Sequence, residues 1–506
     1  MTATIKTATP HGFYGKVIDV ECDITNGLPS LQIVGLGNKA IDEARERVRA
    51  SLRNSGFTMP AKRITINLAP ADLPKDGTHF DLPIAIAILV MSGQLLVSDV
   101  ADSFFAGELA LDGGLRSIKG AVHVAEATLA ADAKNCIVPM DNARQAGLIS
   151  GIAVYGLSTL KDVYLLLKRQ KMVRPHGKVV VAASARSRPA HSLYEVHGQA
   201  HAKRALLIAA AGRHNILLSG PPGAGKTMLA RAMATILPPL SEQEIIEVTK
   251  LQSIHEASRD IAHQRPFRTP HHSASQAAII GGGTPVRPGE ISLAHHGVLF
   301  MDELPEYNRA TIEALRQPLE DREVHIARAR DRITLPANFM LVATQNPCPC
   351  GFLGDPEKPC ICPLASIERY QRKLSGPLLD RIDLVVQVAR VDPRDIIYNK
   401  NNVDKKSTKI TDVNAYATIV RLAHEAQQKR YQNNVFNAAA SNRMIAESMV
   451  ISTSSLAFMR TAADKLQLSV RAYFKTLKVA RTIADIEQSR SVEREHVSEA
   501  LQYRRR

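Results

Sequence analysis

Along the first 170 residues, apolar positions follow two alternating rhythms. KVIDVECDI, SLQIVGL and RITINLAP are short β-type runs. NKAIDEARERVRASLRNSGF sets Ile41, Ala44, Val48 and Leu52 at helical spacing, with charge on the other face. DLPIAIAILVMSGQL is apolar throughout and predicts a buried helix. FFAGELALDGGLRSIKGAVHVAEATLA reads as strand, turn and helix. Residues 1–170 are thus expected to form an α+β domain. The pattern breaks down over 171–192, KMVRPHGKVVVAASARSRPAHS, which is basic, rich in Ala and Ser, and interrupted by prolines; this predicts a linker.

From 193 to 395 the apolar runs become short and unbroken. Ile216-Leu217-Leu218, VLFM at 298–301, FMLVA within 338–347 and LVV at 384–386 predict buried parallel strands of an open α/β sheet. HAKRALLIAAAG and MLARAMATIL are helix-forming. Beyond 396 a polar, lysine-rich stretch, NKNNVDKKSTKITD, precedes five segments with apolar residues at helical spacing, the last ending at the C-terminal arginines. Residues 396–506 predict a small helical bundle. The overall class is α/β with several domains, as a chain of 506 residues exceeds one ordinary core.

Charge narrows the partners. A formal net charge of +15 favours a polyanion, most simply nucleic acid, with an acidic protein surface as the alternative. No apolar run is long enough to span a bilayer, and the start, MTATIKTATPHGFYGKV, lacks the apolar core of a signal peptide. These features predict a cytoplasmic protein with no membrane partner. Six cysteines in a long intracellular chain argue against a disulfide framework.

The chemistry centres on NILLSGPPGAGKT at 215–227. The pattern GxxxxGK[ST] between a strand and a helix is a P-loop. Gly220, Pro221, Pro222, Gly223, Ala224, Gly225, Lys226, Thr227 and Met228 are the expected nucleotide contacts. Lys226 would reach the outer phosphates and the Thr227 hydroxyl would hold Mg²⁺. Asp302 and Glu303 end an apolar strand, where ligands collect in such sheets. Asp302 is placed for the Mg²⁺ shell and Glu303 for polarising a water. Asn346, at the tip of another strand, is placed to orient that water. Arg381, in GPLLDRIDLVV, suits an arginine finger reaching a neighbouring subunit's ATP, the alternative being a salt bridge to Asp380 or Asp383.

Three further features carry chemistry. Cys348, Cys350, Cys360 and Cys362 form two CxC pairs in CPCGFLGDPEKPCIC, a set able to hold one structural Zn²⁺ although CxxC is the usual spacing. Cys22 and Cys136 lie in apolar runs and are expected in the core. Val324-His325-Ile326 and Arg332-Ile333-Thr334-Leu335 alternate like hairpin arms, with Arg328, Arg330 and Arg332 near the tip. The pairs His271-His272 and His295-His296 would fall on opposite faces if extended, so packing or contacts within that segment are expected of them.

Several motifs resemble known families. PKDGTHFDLPIA and GELALDGGLRSIKG are similar to the proteolytic domain of Lon proteases, but His79 stands at the nucleophilic serine's place, leaving Lys119 nothing to activate. A Lon-like scaffold is therefore expected, and a peptidase is not. GPPGAGKT, VLFMDE, ATQN and LLDRID together resemble an AAA+ ATPase of the magnesium-chelatase-like group. SQAAIIGGGTPVRPGEISLAHHG looks like that group's helix-2 insert, and the arginine hairpin resembles its pore-facing pre-sensor hairpin. SVRAYFKTLKVARTIAD resembles the sensor-2 phrase of the helical lid, which makes Arg471 the γ-phosphate arginine, in its own or a neighbour's site, with Arg481 as the alternative. The full order of domains is similar to the YifB/ComM family. That resemblance implies a homo-hexameric ATPase using ATP and Mg²⁺. It also implies a DNA helicase for single-stranded and branched DNA, driving branch migration in natural transformation beside recombination proteins. The arginines at the hairpin tip would then line a pore and contact phosphates, their alternatives being solvation or a pair with Asp331. A chelatase-type motor remodelling a protein partner is the other reading, and an ATP-dependent protease the third.

Overall fold

In this computed structural model the described residues are 2–35, 39–73, 75, 77–179, 193, 196–255, 260–283, 286–328, 331–390, 415–431 and 435–504. Residues 180–192 of the expected linker, the lysine-rich stretch 399–412, Arg330 and the last two arginines lie outside them.

The N-terminal half is built on a seven-stranded mixed sheet. Its order is Ser30–Val34, Arg63–Ala69, Tyr14–Thr25, Ala3–His11, Ser103–Phe105, Asn135–Pro139 and Ala153–Leu157. Ala3–His11 pairs antiparallel with Tyr14–Thr25 through a tight turn, and the last four strands of that order run parallel. Alternation sets one face: Ala3 and Ile5 are buried while Thr4 and Lys6 are exposed. The apolar helix Asp81–Met91 covers that face and is buried from Asp81 to Val90. Its one carboxylate, Asp81, is held by Arg47 Nε at 2.7 Å. Burial raises the Asp81 pKa to about 6 against the pull of that guanidinium. Cys22 and Cys136 are both fully buried, and burial pushes each thiol up to about 12, as expected of core residues.

The second sheet has five strands, all parallel: Phe267–Arg268, Val298–Met301, Met340–Gln345, Ile216–Ser219 and Leu384–Gln387. Numbered along the chain, the order is 2-3-4-1-5. Ile216–Ser219 and Val298–Met301 are buried at every position, because helices cover both faces. The helix Ala200–Gly212 enters the first strand, and Lys226–Ala234 leaves it. The predicted hairpin is present: Glu323–Arg328 pairs antiparallel with Asp331–Pro336, setting Val324 opposite Leu335 and Ile326 opposite Ile333. These four residues are buried, and Arg332 is exposed. The described residues of the C-terminal part form the α-helices Ala415–Tyr431, Asn442–Ser448, Thr453–Lys465, Val470–Ile486 and Arg494–Gln502. It is tied to the second sheet's layer by His424 Nε2 against the Ala210 carbonyl (3.0 Å) and by Gln427 Nε2 donating to that of Ala211 (2.8 Å).

The two sheets' domains share a buried junction. Lys250, only 2 % exposed, donates from Nζ to both oxygens of Glu126 at 2.8 Å. The same ammonium lies 3.9 Å from the Phe13 ring centre and 5.0 Å from that of Tyr14. Phe13, in the first turn of the chain, packs into the cluster that holds Ile326 and Ile333 of the hairpin. Gln145 Nε2 donates to the Asp260 carbonyl at 3.0 Å, and Leu148 shares a cluster with Ile245 and Val248.

Candidate active site

The glycine-rich turn begins where Ile216–Ser219 ends. Gly220 lies so close to the last strand that a Cβ there would meet the Val388 carbonyl oxygen at 2.2 Å. Gly223 and Gly225 take φ of +78° and +84°, which curls the backbone and leaves Lys226 to open the helix. Lys226 is folded back onto its own turn. Its Nζ donates to the carbonyls of Gly220 (2.6 Å) and Pro221 (2.9 Å) and to Asn346 Oδ1 (3.0 Å). Burial lowers the Lys226 pKa, opposed by the charges of Asp302 and Glu303.

Asp302 follows the strand Val298–Met301 and joins two elements. Its Oδ2 accepts from the Thr227 hydroxyl at 3.1 Å, and its Oδ1 from the Thr344 hydroxyl at 2.5 Å. Thr344 also accepts the Glu303 N–H at 2.8 Å. Glu303 sits at φ +50°, an unfavourable conformation for a residue with a side chain, and is exposed toward Asn346, 3.5 Å from Nδ2 to Oε1. Lys226, Thr227, Asp302, Glu303 and Asn346 are thus gathered at the C-terminal ends of three adjacent strands. Thr344 went unrecognised in the sequence. Its signal was the single hydroxyl in ATQN, two residues before the polar tip.

Arg381 and Arg471 lie elsewhere. They line a cleft of about 580 Å³ between the second sheet and the C-terminal helices. Asn215, Gly297, Asn338 and Asp383 border the same cleft, and each stands at the N-terminal end of one of the parallel strands. A four-residue strand is roughly 13 Å long, so the cleft and the P-loop are at opposite edges of the sheet. Both arginines contact one carboxylate: Glu320 pairs with Arg381 Nη2, and its Oε1 is 3.4 Å from Arg471 Nη2. Neither Asp380 nor Asp383 takes Arg381. The Asp383 carboxylate is used by the Asn215 N–H (3.1 Å), with His214 and Lys475 at 3.4 and 3.5 Å. Arg481 is a structural residue: it is 1 % exposed and bound by Asp485 and by the carbonyls of Ser489 and Arg490.

The four cysteines converge. Their Sγ atoms all lie within 4.8 Å of one another. Cys348 is 3.4 Å from Cys350 and 3.6 Å from Cys360, and Cys350 is 3.6 Å from Cys360. Four thiolates about 2.3 Å from one ion at tetrahedral angles stand about 3.8 Å apart, so the cluster fits a single ion. Backbone N–H groups of Cys350 and Cys362 donate to Sγ of Cys362 and Cys360, both at 3.4 Å. The Cys350 thiol is pulled down to about 6, chiefly by the Phe352 N–H.

His295 and His296 are not on opposite faces. His296 takes φ +57°, and both rings reach Glu247, at 3.0 and 2.7 Å from Nε2. The Asn338 N–H donates to His295 Nδ1, so Nε2 carries that ring's proton and is not free to bind a metal. Burial lowers His295 to about 4. The rings of His271 and His272 lie 4.1 Å apart, tilted by 34°. In the N-terminal half, His79 is buried and lowered by that burial to about 4, whereas Lys119 is exposed.

A P-loop facing Asp302, Glu303 and Asn346 across a parallel sheet of order 2-3-4-1-5, followed by a helical domain, defines the AAA+ class in its magnesium-chelatase-like form. Comparison with known proteins agrees along the chain. Residues 192–396 match the family described as magnesium chelatase, subunit ChlI. Residues 20–142 match subunit ChlI of Mg-chelatase, and 411–504 its C-terminal region. The chain is 42% identical to the uncharacterized protein YifB of Salmonella typhimurium over 99% of its own length and 97% of that protein's. It is also 42% identical to the competence protein ComM of Haemophilus influenzae, over 99% and 97% of the two chains. A 144-residue stretch is 28% identical to Lon protease 2 of Bacillus subtilis, covering 27% of this chain and 26% of that one. The chain belongs to the YifB/ComM family.

Proposed function

We propose that the protein is a ring-forming ATPase that drives movement along single-stranded or branched DNA, as a helicase promoting branch migration of incoming DNA in natural transformation. The observation that carries the ring is the separation of the phosphate site from Arg381 and Arg471. An arginine side chain does not bridge a sheet edge to edge, so these two serve the ATP of a neighbouring copy, six copies closing the ring. Glu320 occupies their guanidinium groups where the neighbour's γ-phosphate would stand.

Within one site, the P-loop amides and Lys226 bind the phosphates. Thr227 and Asp302 would hold Mg²⁺, which supplies neutralising charge to the phosphate oxygens. Glu303 polarises the attacking water, Asn346 orients it, and the neighbour's arginines stabilise charge as the γ-phosphoryl leaves. The hairpin supports the DNA reading. Arg332 is exposed on one arm, Arg328 ends the other, and Arg330 falls between them in sequence. With a net charge of +15, repetition around a ring gives a positive lining suited to phosphates. The relative named for competence supports natural transformation as the setting; in this reading the protein works in the cytoplasm beside recombination proteins. Among the described residues no helix is long and apolar enough to cross a membrane.

Cys348, Cys350, Cys360 and Cys362 hold one Zn²⁺. The loop has almost no core of its own, with Ile361 85 % exposed. Structural zinc contributes on the order of 10–16 kcal/mol in small sites, enough to order such a loop.

ATP hydrolysis measured alone, with single-stranded DNA and with forked DNA, followed by strand displacement, tests the reading. Stimulation by DNA and displacement of the strand are expected. Hydrolysis indifferent to DNA would favour the second reading, a chelatase-type motor acting on a protein partner, which the family matches support.

A further inference from the structure

We propose that the four-cysteine metal site braces the nucleotide site, so that nucleotide affinity depends on the metal being bound. The inference rests on the zinc assignment above and adds a role for it.

The chain path makes the first link. Asn346, which holds Lys226 Nζ, is two residues before Cys348, and Cys348 is fully buried. Only Pro347 separates them, and its carbonyl is held by Gln371 Nε2 at 3.3 Å. A proline allows little backbone freedom there. An ion fixing Cys348 therefore fixes where Asn346 points.

Gly351 makes the second link, inside the loop and one residue after Cys350. It takes φ +85° and lies flat on the P-loop: a Cβ there would be 2.5 Å from Cδ and 2.7 Å from Cγ of Pro222. The ligand loop thus touches the nucleotide site twice, through Asn346 behind Lys226 and through Pro222 in the glycine-rich turn. On its far side, Glu357 pairs with Arg390 at 2.9 Å, just beyond the strand whose Val388 carbonyl abuts Gly220. Little else orders the loop. Leu353 and Ile361 are exposed, and Asp355 caps its turn by accepting the Glu357 and Lys358 N–H groups at 2.8 and 3.0 Å. Without the ion, both contacts with the nucleotide site lose their support.

The test uses the full chain and two readouts, zinc content by elemental analysis and the Kd of a fluorescent ATP analogue. The double change Cys360→Ser and Cys362→Ser should empty the site and weaken the analogue at least tenfold. Gly351→Ala should keep the zinc and still weaken binding. It must open a 2.5 Å contact to the ordinary 3.5 Å or so, which pushes the ligand loop and the Pro222 turn apart by about an ångström. Removing zinc from the unaltered chain with a chelator and restoring it guards against a folding defect in the cysteine variant, because the loss of affinity should reverse. A zinc-free chain that binds the analogue as tightly as the zinc-loaded one would overturn the coupling while leaving the metal site intact. A chain purified without stoichiometric zinc would overturn the metal assignment and this inference together.

Discussion

Replacing Thr344 with valine isolates how Asp302 is aimed. Thr344 is fully buried, and valine has nearly its shape, so the change removes two hydrogen bonds and little volume. The bond to Asp302 Oδ1, 2.5 Å long, involves a charged acceptor and is worth about 1.5–3 kcal/mol. The bond from the Glu303 N–H, 2.8 Å long, is worth about 0.5–1.5 kcal/mol, and its loss leaves a donor facing a methyl group. Deleting a partner that orients a metal-binding carboxylate lowers metal affinity by about 10–100-fold, or about 1.4–2.7 kcal/mol, which matches the first bond. ATPase activity titrated against free Mg²⁺ should therefore show a half-saturation point about 10–100-fold higher in Thr344→Val. Thr344→Ser should stay near the unaltered protein. Thermal unfolding, followed in parallel, should fall by roughly 4–18 °C, so the titration is run well below the variant's midpoint. A valine variant with the original Mg²⁺ dependence would mean that Asp302 is not the metal's ligand or does not need Thr344, and the reasoning would fail.

Other outcomes follow from the same geometry. Lys226→Ala and Arg381→Ala should each abolish hydrolysis, yet an equimolar mixture should regain a fraction of it, because some sites pair an intact P-loop with an intact arginine; a mixture as dead as its parts would place Arg381 in its own chain's site. Changing Arg328, Arg330 and Arg332 to Ala should leave basal hydrolysis in place and flatten the salt dependence of single-stranded DNA binding by about 0.7 per lost phosphate contact in log–log slope; an unchanged slope would remove the hairpin from the DNA path. His79 and His123 are held neutral by burial, lowered to about 4 and about 3. The unfolded chain protonates near 6.5, so stability present above that value is lost as pH falls toward 4. Each histidine should cost about 2 kcal/mol between pH 7 and pH 5. Urea unfolding of the N-terminal domain at both values should show it, and His79→Leu should remove one share.

Much of the phosphate site could be read from the chain because its parts are local. A loop that wraps phosphate needs glycines at fixed places, and a strand buried on both faces must be apolar, so GPPGAGKT and VLFMDE announce themselves. Contacts between distant residues left no such mark. Arg381 has two aspartates beside it in sequence, yet its partner is Glu320, because the chain turns Asp383 inward to cap the strand start at Asn215. Arg471 and Arg481 lie on one helix, and only packing shows that the second is locked to Asp485 while the first faces the cleft. The histidine pair was expected to diverge because adjacent residues do so in extended chain, but a left-handed turn at His296 brings both rings to one carboxylate.

The buried lysine at the domain junction has a consequence for how such a chain can be inherited. Lys250 belongs to the ATPase half, but the carboxylate and both aromatic rings around its ammonium belong to the N-terminal half. A motor joined to a different leading domain would arrive with a cation already sealed away from water and stripped of what made that tolerable. The two halves are thus poor candidates for shuffling, and a graft between distant relatives should succeed only when Phe13, Tyr14 and Glu126 travel together with Lys250.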